Sequence, residues 1–254
     1  MTCDKMEPPH VGCYMMNTYY DPGAQRATKV NELFTRIAGR YDLINDLQSF
    51  GLHRHWKKRV VREARPATGD KALDVCCGTG DIALGLARKG VEVTGVDFSE
   101  RMLEIARERQ GKGGAHLARM QFVSGDAQNL PFPDSAFDIV TIGYGLRNLT
   151  SWETGLRGMQ RVAKPGGRLV ILEFGKPENG VWRQIYETYL KLFSPALGLV
   201  FCGDSAAYSY ILESLKHYPA QRAVGEKMRE LGLQNVRVID LLGGAMSINY
   251  GEKP

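Results

Sequence analysis

The chain has 254 residues, 43% hydrophobic and 24% charged, with 33 Lys and Arg against 28 Asp and Glu and a formal net charge of +5. These fractions are globular and exclude a disordered or collagen-like chain. No apolar run approaches the roughly 20 residues that a membrane-spanning helix needs; residues 197–202 are typical of the longest.

The five cysteines, Cys3, Cys13, Cys76, Cys77 and Cys202, have no regular spacing, so neither a disulfide framework nor a zinc site is expected. The N-terminus lacks the basic-then-apolar pattern of a secretory signal and is not Arg-rich, which makes the cytoplasm the expected location.

Residues 1–28 carry Pro8-Pro9 and Pro22-Gly23 without periodicity and read as a tail outside the fold. The pair Met15-Met16 within them raises the hypothesis that translation starts there. From Val30 the pattern turns helical, with Val30, Leu33, Phe34 and Ile37 on one face. A second helix is expected over residues 52–64, with Leu52, Trp56, Val60 and Ala64 on one face and Pro66 closing it. Its other face gathers the charge excess: Arg54, Lys57, Lys58, Arg59, Arg62 and Arg65 against Glu63. Such a face is either merely solvated or drawn to an anionic membrane surface, where each cation contributes about 1 kcal/mol. Nucleic acid is not expected, because no base-reading motif accompanies it.

Strands and helices then alternate. Strands are expected at residues 72–76, 91–97, 121–124, 137–143 and 168–173, and helices at 82–88, from the N-cap Ser99 to 109, and at 152–163. Pro165-Gly166-Gly167 turns the chain into the fifth strand. This is an α/β pattern, a mostly parallel twisted sheet with helices on both faces. Residues 236–241 and 246–250, parted by Gly243-Gly244, close it with an antiparallel hairpin.

The first strand runs into Leu73-Asp74-Val75-Cys76-Cys77-Gly78-Thr79-Gly80-Asp81. Gly78 and Gly80 let the backbone bend and approach a ligand. Asp97 ends the next strand, where an acid can hold both hydroxyls of an adenosine ribose. Residues 78–83 satisfy G-x-G-x-x-G/A, so an NAD-dependent oxidoreductase competes. Asp74 either anchors the loop or meets the ammonium of an amino-acid-bearing cofactor. Asp81, opening the following helix, would repel a pyrophosphate there. S-adenosylmethionine (SAM) has no phosphate, carries a sulfonium and an ammonium, and tolerates both acids. After the third strand, Asp126 can accept from an adenine amine and Ala127 can donate its backbone N–H; the alternative for Asp126 is a turn. Asp74, Asp97 and Asp126 gather at the strands' carboxyl ends, where parallel sheets bind ligands.

Four stretches carry a resemblance: Tyr41 through Trp56, Tyr144-Gly145-Leu146-Arg147-Asn148, Arg161 through Arg168 continuing to Glu173-Phe174, and Asp204 through Ser214. In these the chain resembles the ubiquinone/menaquinone biosynthesis C-methyltransferases, class I SAM-dependent methyltransferases with a Rossmann-like fold, over about residues 29–254. The resemblance implies one domain over 29–254 with an N-terminal helical lid at 29–66, and SAM as cofactor. It implies cofactor contacts at Thr79, Asp97, Asp126 and Ala127, beside the loop residues Asp74, Gly78 and Gly80 and the position of Gly143. The chain departs from the family at Asp126 (often Asn), Gly143 and Gly175 (often Ser) and Gln48 (apolar in relatives).

The implied reaction methylates a ring carbon of a prenylated quinol, demethylmenaquinol to menaquinol foremost, with 2-methoxy-6-polyprenyl-1,4-benzoquinol as the alternative. Ring carbon is a poor nucleophile until a neighbouring hydroxyl, of pKa about 10, ionises. Arg147 is expected to stabilise the phenolate, or else to pair with a nearby acid, and Asn148 to hydrogen-bond a ring oxygen. His53 is the candidate proton acceptor, with a structural role as the alternative. Tyr144 lines the pocket or packs, and Tyr41 and Asp42 belong to the lid, with local capping the simpler account of Asp42. The stripe Tyr186, Tyr189, Leu190, Phe193, Leu197, Leu199, Val200 and Phe201 is either core or a tunnel and membrane-facing patch for the prenyl tail. The expected setting is thus cytoplasmic, with peripheral contact at the membrane's inner face; a homodimer is left open.

Overall fold

A computed structural model describes residues 23, 25–114, 117–203 and 206–254. The Met15-Met16 pair, Cys3, Cys13 and Asp204 lie outside the described residues, as do the side chains of Cys202 and Tyr208.

Among those residues, seven strands form one sheet: β1 Lys71–Val75, β2 Glu92–Asp97, β3 Met120–Ser124, β4 Phe137–Gly143, β5 Ala163–Phe174, β6 Gln234–Leu241 and β7 Met246–Glu252. Their order is β3-β2-β1-β4-β5-β7-β6. Strands β1 to β5 run parallel, and β7 pairs antiparallel with both β5 and β6. The expected α/β sheet and its terminal hairpin are both present.

The strands are apolar on both faces because both faces are covered. Ala72, Val93, Ile139, Val170 and Leu172 face helices α3 (Leu52–Glu63), α4 (Asp81–Ala87) and α5 (Glu100–Gly111). Leu73, Val96, Val140, Ile142, Leu169 and Ile171 face α6 (Trp152–Val162) and α9 (Ala220–Glu230). Each Val, Leu or Ile side chain among them contributes about 1.5–3 kcal/mol on burial.

A third layer sits over the strands' carboxyl ends. Helices α1 (Arg26–Ile37) and α2 (Tyr41–Ser49) supply Leu33, Ile37 and Ile44 to it. Helices α7 (Gly180–Cys202) and α8 (Ala206–His217) supply Leu190, Leu197, Tyr210, Ile211 and Leu215. Helix α1 begins at Arg26, inside the stretch expected to be a tail. Helix α2 is an element the pattern does not separate, because its Leu43 and Leu47 point outward while Gln48 is buried. It stops where Phe50 and Gly51 take left-handed backbones (φ 51° and 76°), which turns the chain into α3. No helix among the described residues is long and apolar enough to cross a membrane.

Ser99 holds the N-cap position of α5 but does not cap it with its side chain. Its hydroxyl faces Thr35 of α1 at 3.4 Å, and its backbone N–H donates to Asp97.

Candidate active site

Two concavities meet at the carboxyl ends of β1, β2, β4 and β5. The first is a cleft bounded by Gly78, Asp97, Phe98, Met102, Asp126 and Ala127 below and by Ala27, Val30, Phe34 and Tyr41 of the N-terminal helices above. The second is an apolar cavity of about 250 Å³ between α2, α3, α7 and the β4–α6 connection. Tyr41 and Tyr144 line both.

The cleft is built by the bend after β1. Cys76 and Gly78 adopt positive φ (52° and 54°), and Gly80, at φ 85°, begins α4. A Cβ on Gly80 would lie 3.2 Å from the Phe122 ring, so backbone conformation and packing both select glycine. Asp97 ties the bend to the end of β2: Oδ2 accepts from the Gly78 N–H at 2.8 Å and Oδ1 from the Ser99 N–H at 2.9 Å. Burial raises the Asp97 carboxyl pKa, opposed by these backbone donors. Each oxygen retains lone pairs for a diol. Asp126 accepts from the Gln128 N–H at 2.8 Å, which makes the turn that sets Ala127 into the wall.

Not every expected cofactor residue borders this cleft. Asp74 is buried under the bend, with Oδ2 accepting from the Ala83 N–H at 3.1 Å and Oδ1 from the Thr141 hydroxyl at 2.7 Å. It anchors the loop and is not placed to meet a ligand's ammonium. Burial pushes its carboxyl up to about 7, against those two donors. The Thr79 hydroxyl donates to Asp42 at 3.0 Å and so fastens the loop to α2. Gly143 packs under α4, where a Cβ would come within 2.7 Å of Ile82. Asp81 does not face the cleft; it pairs with Lys57 of α3 at 2.7 Å and Arg109 of α5 at 2.5 Å. Arg109 also reaches Asp42 at 3.2 Å and the Thr79 carbonyl at 2.9 Å. The repulsion of a pyrophosphate by Asp81 therefore does not operate. Asp97 and Asp126 line the cleft, and no Lys, Arg or His does among the described residues. That lining suits a cofactor of net positive charge; a pyrophosphate would meet backbone N–H groups alone.

In the cavity, Arg147 is buried and paired with Glu173 of β5, Nη1 to Oε1 at 2.6 Å. It also donates to the Tyr144 carbonyl at 2.8 Å and the Tyr210 hydroxyl at 3.2 Å, and lies 4.6 Å from the Phe174 ring centre. The alternative that Arg147 pairs with an acid is thus realised, and Glu173 is the partner. Asn148 faces the cleft and not the cavity; its Nδ2 donates to the Tyr144 carbonyl at 3.1 Å, while its buried Oδ1 has no protein partner. His53 is buried in the cavity wall beside Asp46, Nε2 to Oδ1 at 2.8 Å. Tyr186, Tyr189 and Leu190 of the expected stripe line the cavity, whereas Leu199 and Val200 are exposed.

Of the basic patch, Lys57 is buried on Asp81, and Arg54, Arg59 and Arg65 pair with Asp46, Glu63 and Glu252. Among the described residues, no group of three or more His, Cys, Asp or Glu could hold a metal ion.

A bent β1–α4 loop, a ribose-type acid on β2 and an acid-lined cleft on a sheet ending in an antiparallel hairpin define a class I SAM-dependent methyltransferase fold. Solved structures share it: a SAM-dependent methyltransferase from Aquifex aeolicus superposes with TM-score 0.60 at 21% identity, covering 84% of this chain and 98% of that one. The [4+2]-cyclase SpnF superposes with TM-score 0.61 at 19% identity, covering 90% and 96%. More specifically, the chain belongs to the ubiE/COQ5 methyltransferase family, whose profile matches residues 23–253. It is 39% identical over 236 residues to the ubiquinone/menaquinone biosynthesis C-methyltransferase UbiE of Azotobacter vinelandii (92% of this chain, 93% of the relative). To the protein of the same name from Ectopseudomonas mendocina it is 41% identical over 240 residues (92% of each). The chain is a methyltransferase and its cofactor is SAM. The oxidoreductase reading finds no support in these comparisons.

Proposed function

We propose that this methyltransferase alkylates a ring carbon of a prenylated quinol, demethylmenaquinol foremost. The observation that carries this reading is the meeting of an acid-lined cleft and an apolar cavity at Tyr41 and Tyr144. Bound SAM supplies an electrophilic methyl group on a sulfonium. The residues assigned to hold it are Gly78, Asp97, Asp126 and Ala127, which line the cleft together with Asn148, whose Oδ1 is buried without a protein partner. The cavity accepts a planar aromatic head between Tyr144, Phe174, Tyr186 and Tyr210. Arg147, fixed by Glu173, lines the cavity with its Nε buried and unpartnered, and serves as a preorganised donor for a developing phenolate oxygen. With its charge largely balanced by Glu173, it acts as an oriented donor more than as a free cation. Helices α1 to α3 serve as the lid, since Ala27, Val30, Phe34 and Tyr41 roof the cleft and Asp42 and Lys57 fasten them to its loop.

The mouth of the cavity supports peripheral contact at the inner face of the membrane. Phe50 (77% exposed), Leu52, Ile185 and Leu242 line the cavity yet are exposed, a rim through which a prenyl tail can pass. The membrane-facing feature is this rim more than the α3 cations, four of which are paired within the fold.

The test is to incubate the purified protein with methyl-labelled SAM and, separately, reduced short-chain demethylmenaquinone and its benzoquinol counterpart, and to analyse the products by mass spectrometry. The naphthoquinol is expected to gain one labelled methyl on carbon. Transfer to the benzoquinol alone would overturn the substrate choice, and transfer to neither would overturn the reading.

A further inference from the structure

Within the proposed quinol methylation, a proton acceptor for the ring hydroxyl is still to be assigned. Among the described residues, the side chains lining the cavity include no carboxylate and no lysine. Burial pushes the phenols of Tyr41, Tyr144, Tyr186, Tyr189 and Tyr210 above their ordinary value, so none ionises near neutral pH. Burial opposes the Arg147 charge, but Glu173 more than restores it, and the guanidinium stays protonated. Among the described residues, His53 is the remaining titratable group in the wall.

We infer that His53, oriented by Asp46, is the base that takes the quinol hydroxyl proton. The pair is held from three directions. His53 Nε2 lies 2.8 Å from Asp46 Oδ1, the His53 backbone N–H donates to Ser49 Oγ at 3.1 Å, and Arg54 Nε grips the same Asp46 oxygen at 2.6 Å. A carboxylate only accepts, so Nε2 carries the ring hydrogen and Nδ1 carries the lone pair. Nδ1 is buried and has no protein partner. A buried polar atom left so is unfavourable, and a bound hydroxyl would relieve it. The residues lining the cavity carry other such atoms, Asn45 Nδ2, Tyr144 Oη, Tyr186 Oη and Arg147 Nε, each buried without a protein partner, which a small side-chain rotation would offer to a polar head.

The charged groups around His53 keep it ready. Arg54 and Lys57 lie on its own helix, Asp46 faces it from α2 and Asp81 from the start of α4. Burial first, then Lys57, lowers the imidazole pKa against the two acids, so His53 is neutral at pH 7 and can accept a proton. Asp46, bonded to Arg54 and His53, is held below the usual carboxylate range and stays an anion that stabilises the imidazolium.

The step balances. The hydroxyl proton passes to Nδ1, and the oxygen electron pair delocalises onto the neighbouring ring carbon. That carbon bonds the methyl group as the carbon–sulfur bond breaks with its electron pair left on sulfur. The ring then loses the carbon-bound hydrogen as a proton to water, and His53 returns its proton to the oxygen. One proton is released for each methyl transferred.

The experiment measures kcat/KM against pH for the wild-type protein, His53→Gln and Asp46→Asn, with SAM affinity followed by calorimetry, and records the nitrogen-15 spectrum of the labelled wild-type imidazole. The wild-type profile is expected to fall on the acid side, and His53→Gln to lose that limb with about 10²–10⁴-fold of the rate while SAM affinity holds. Asp46→Asn, deprived of the anion that raises the imidazole pKa, is expected to move the limb to lower pH. The spectrum, which needs no variant to fold, is expected to show hydrogen on Nε2. Wild-type turnover with an unchanged profile in His53→Gln, or hydrogen on Nδ1, would overturn the dyad alone. No wild-type turnover would overturn the quinol reading and the dyad with it.

Discussion

Arg147 and Glu173 form an ion pair at 2.6 Å that is almost wholly sealed from solvent. Glu173 Oε2 also accepts the Arg147 backbone N–H at 3.2 Å, and Oε1 that of Phe174 at 2.9 Å. The carboxylate therefore fixes both the side chain and the loop that presents it. Glu173→Gln should destabilise the fold by about 3–5 kcal/mol, the cost of an uncompensated buried charge, measured by urea unfolding. Arg147→Met paired with Glu173→Leu should recover much of that loss without recovering turnover. A double variant as active as the wild type would show that Arg147 only holds the loop.

Asp81 joins the N-terminal helices to the nucleotide loop. Burial alone would raise its carboxyl, but Lys57 and Arg109 bring it from 3.8 down to about 2. Its folded value is depressed, so its stabilising contribution is complete above 3.8 and is lost as pH falls through about 2. That difference amounts to roughly 2 kcal/mol at 1.4 kcal/mol per pH unit. Asp81→Asn should lose about that much at pH 7 and little near pH 2, by denaturant midpoints across pH. An equal loss at both ends would contradict the ion-pair account.

Asp97 and Thr79 should separate in binding. Asp97→Ala removes a carboxylate that lines the cleft and pins Gly78 and Ser99. One lost charge-assisted hydrogen bond, about 1.5–3 kcal/mol, corresponds to roughly 10–100-fold weaker SAM binding. Thr79→Val should change SAM affinity much less, because its hydroxyl is committed to Asp42. Calorimetric titration with SAM reads both, and equal losses would contradict the assignment.

The exposed rim predicts a lipid effect. Phe50→Ser with Leu242→Ser should reduce flotation with vesicles containing anionic lipid while leaving the melting temperature within a few degrees, since both side chains are largely exposed. Undiminished flotation would move the contact elsewhere.

The parallel sheet was legible because strands such as 137–143 are apolar on both faces, a local property of the chain. That Gly78, Asp97, Asp126 and Ala127 gather around one cleft was legible for the same reason, since they stand at strand ends next to turns. What escaped depends on distant partners. Asp42 reads as a local cap, yet it binds Thr79 and Arg109 from another layer. Asp81 reads as a charge facing ligand, yet Lys57 turns it into a tie. Glu173 stands in the quoted Glu173-Phe174 pair without a role, because its partner arrives from across the sheet's carboxyl edge. Asp46 lies next to His53 only through the left-handed turn at Phe50 and Gly51. A positively charged side chain followed by buried strands, with no local acid, is the signal that could have prompted the search for Glu173.

The most direct test of the two-compartment site is a crystal structure with S-adenosylhomocysteine and a reduced short-chain naphthoquinone. The nucleoside should lie against Asp97, Asp126 and Ala127, and the quinol ring between Tyr144 and Tyr186 with a hydroxyl at His53 Nδ1. A nucleoside seated in the apolar cavity, or a ring bound outside it, would contradict the account.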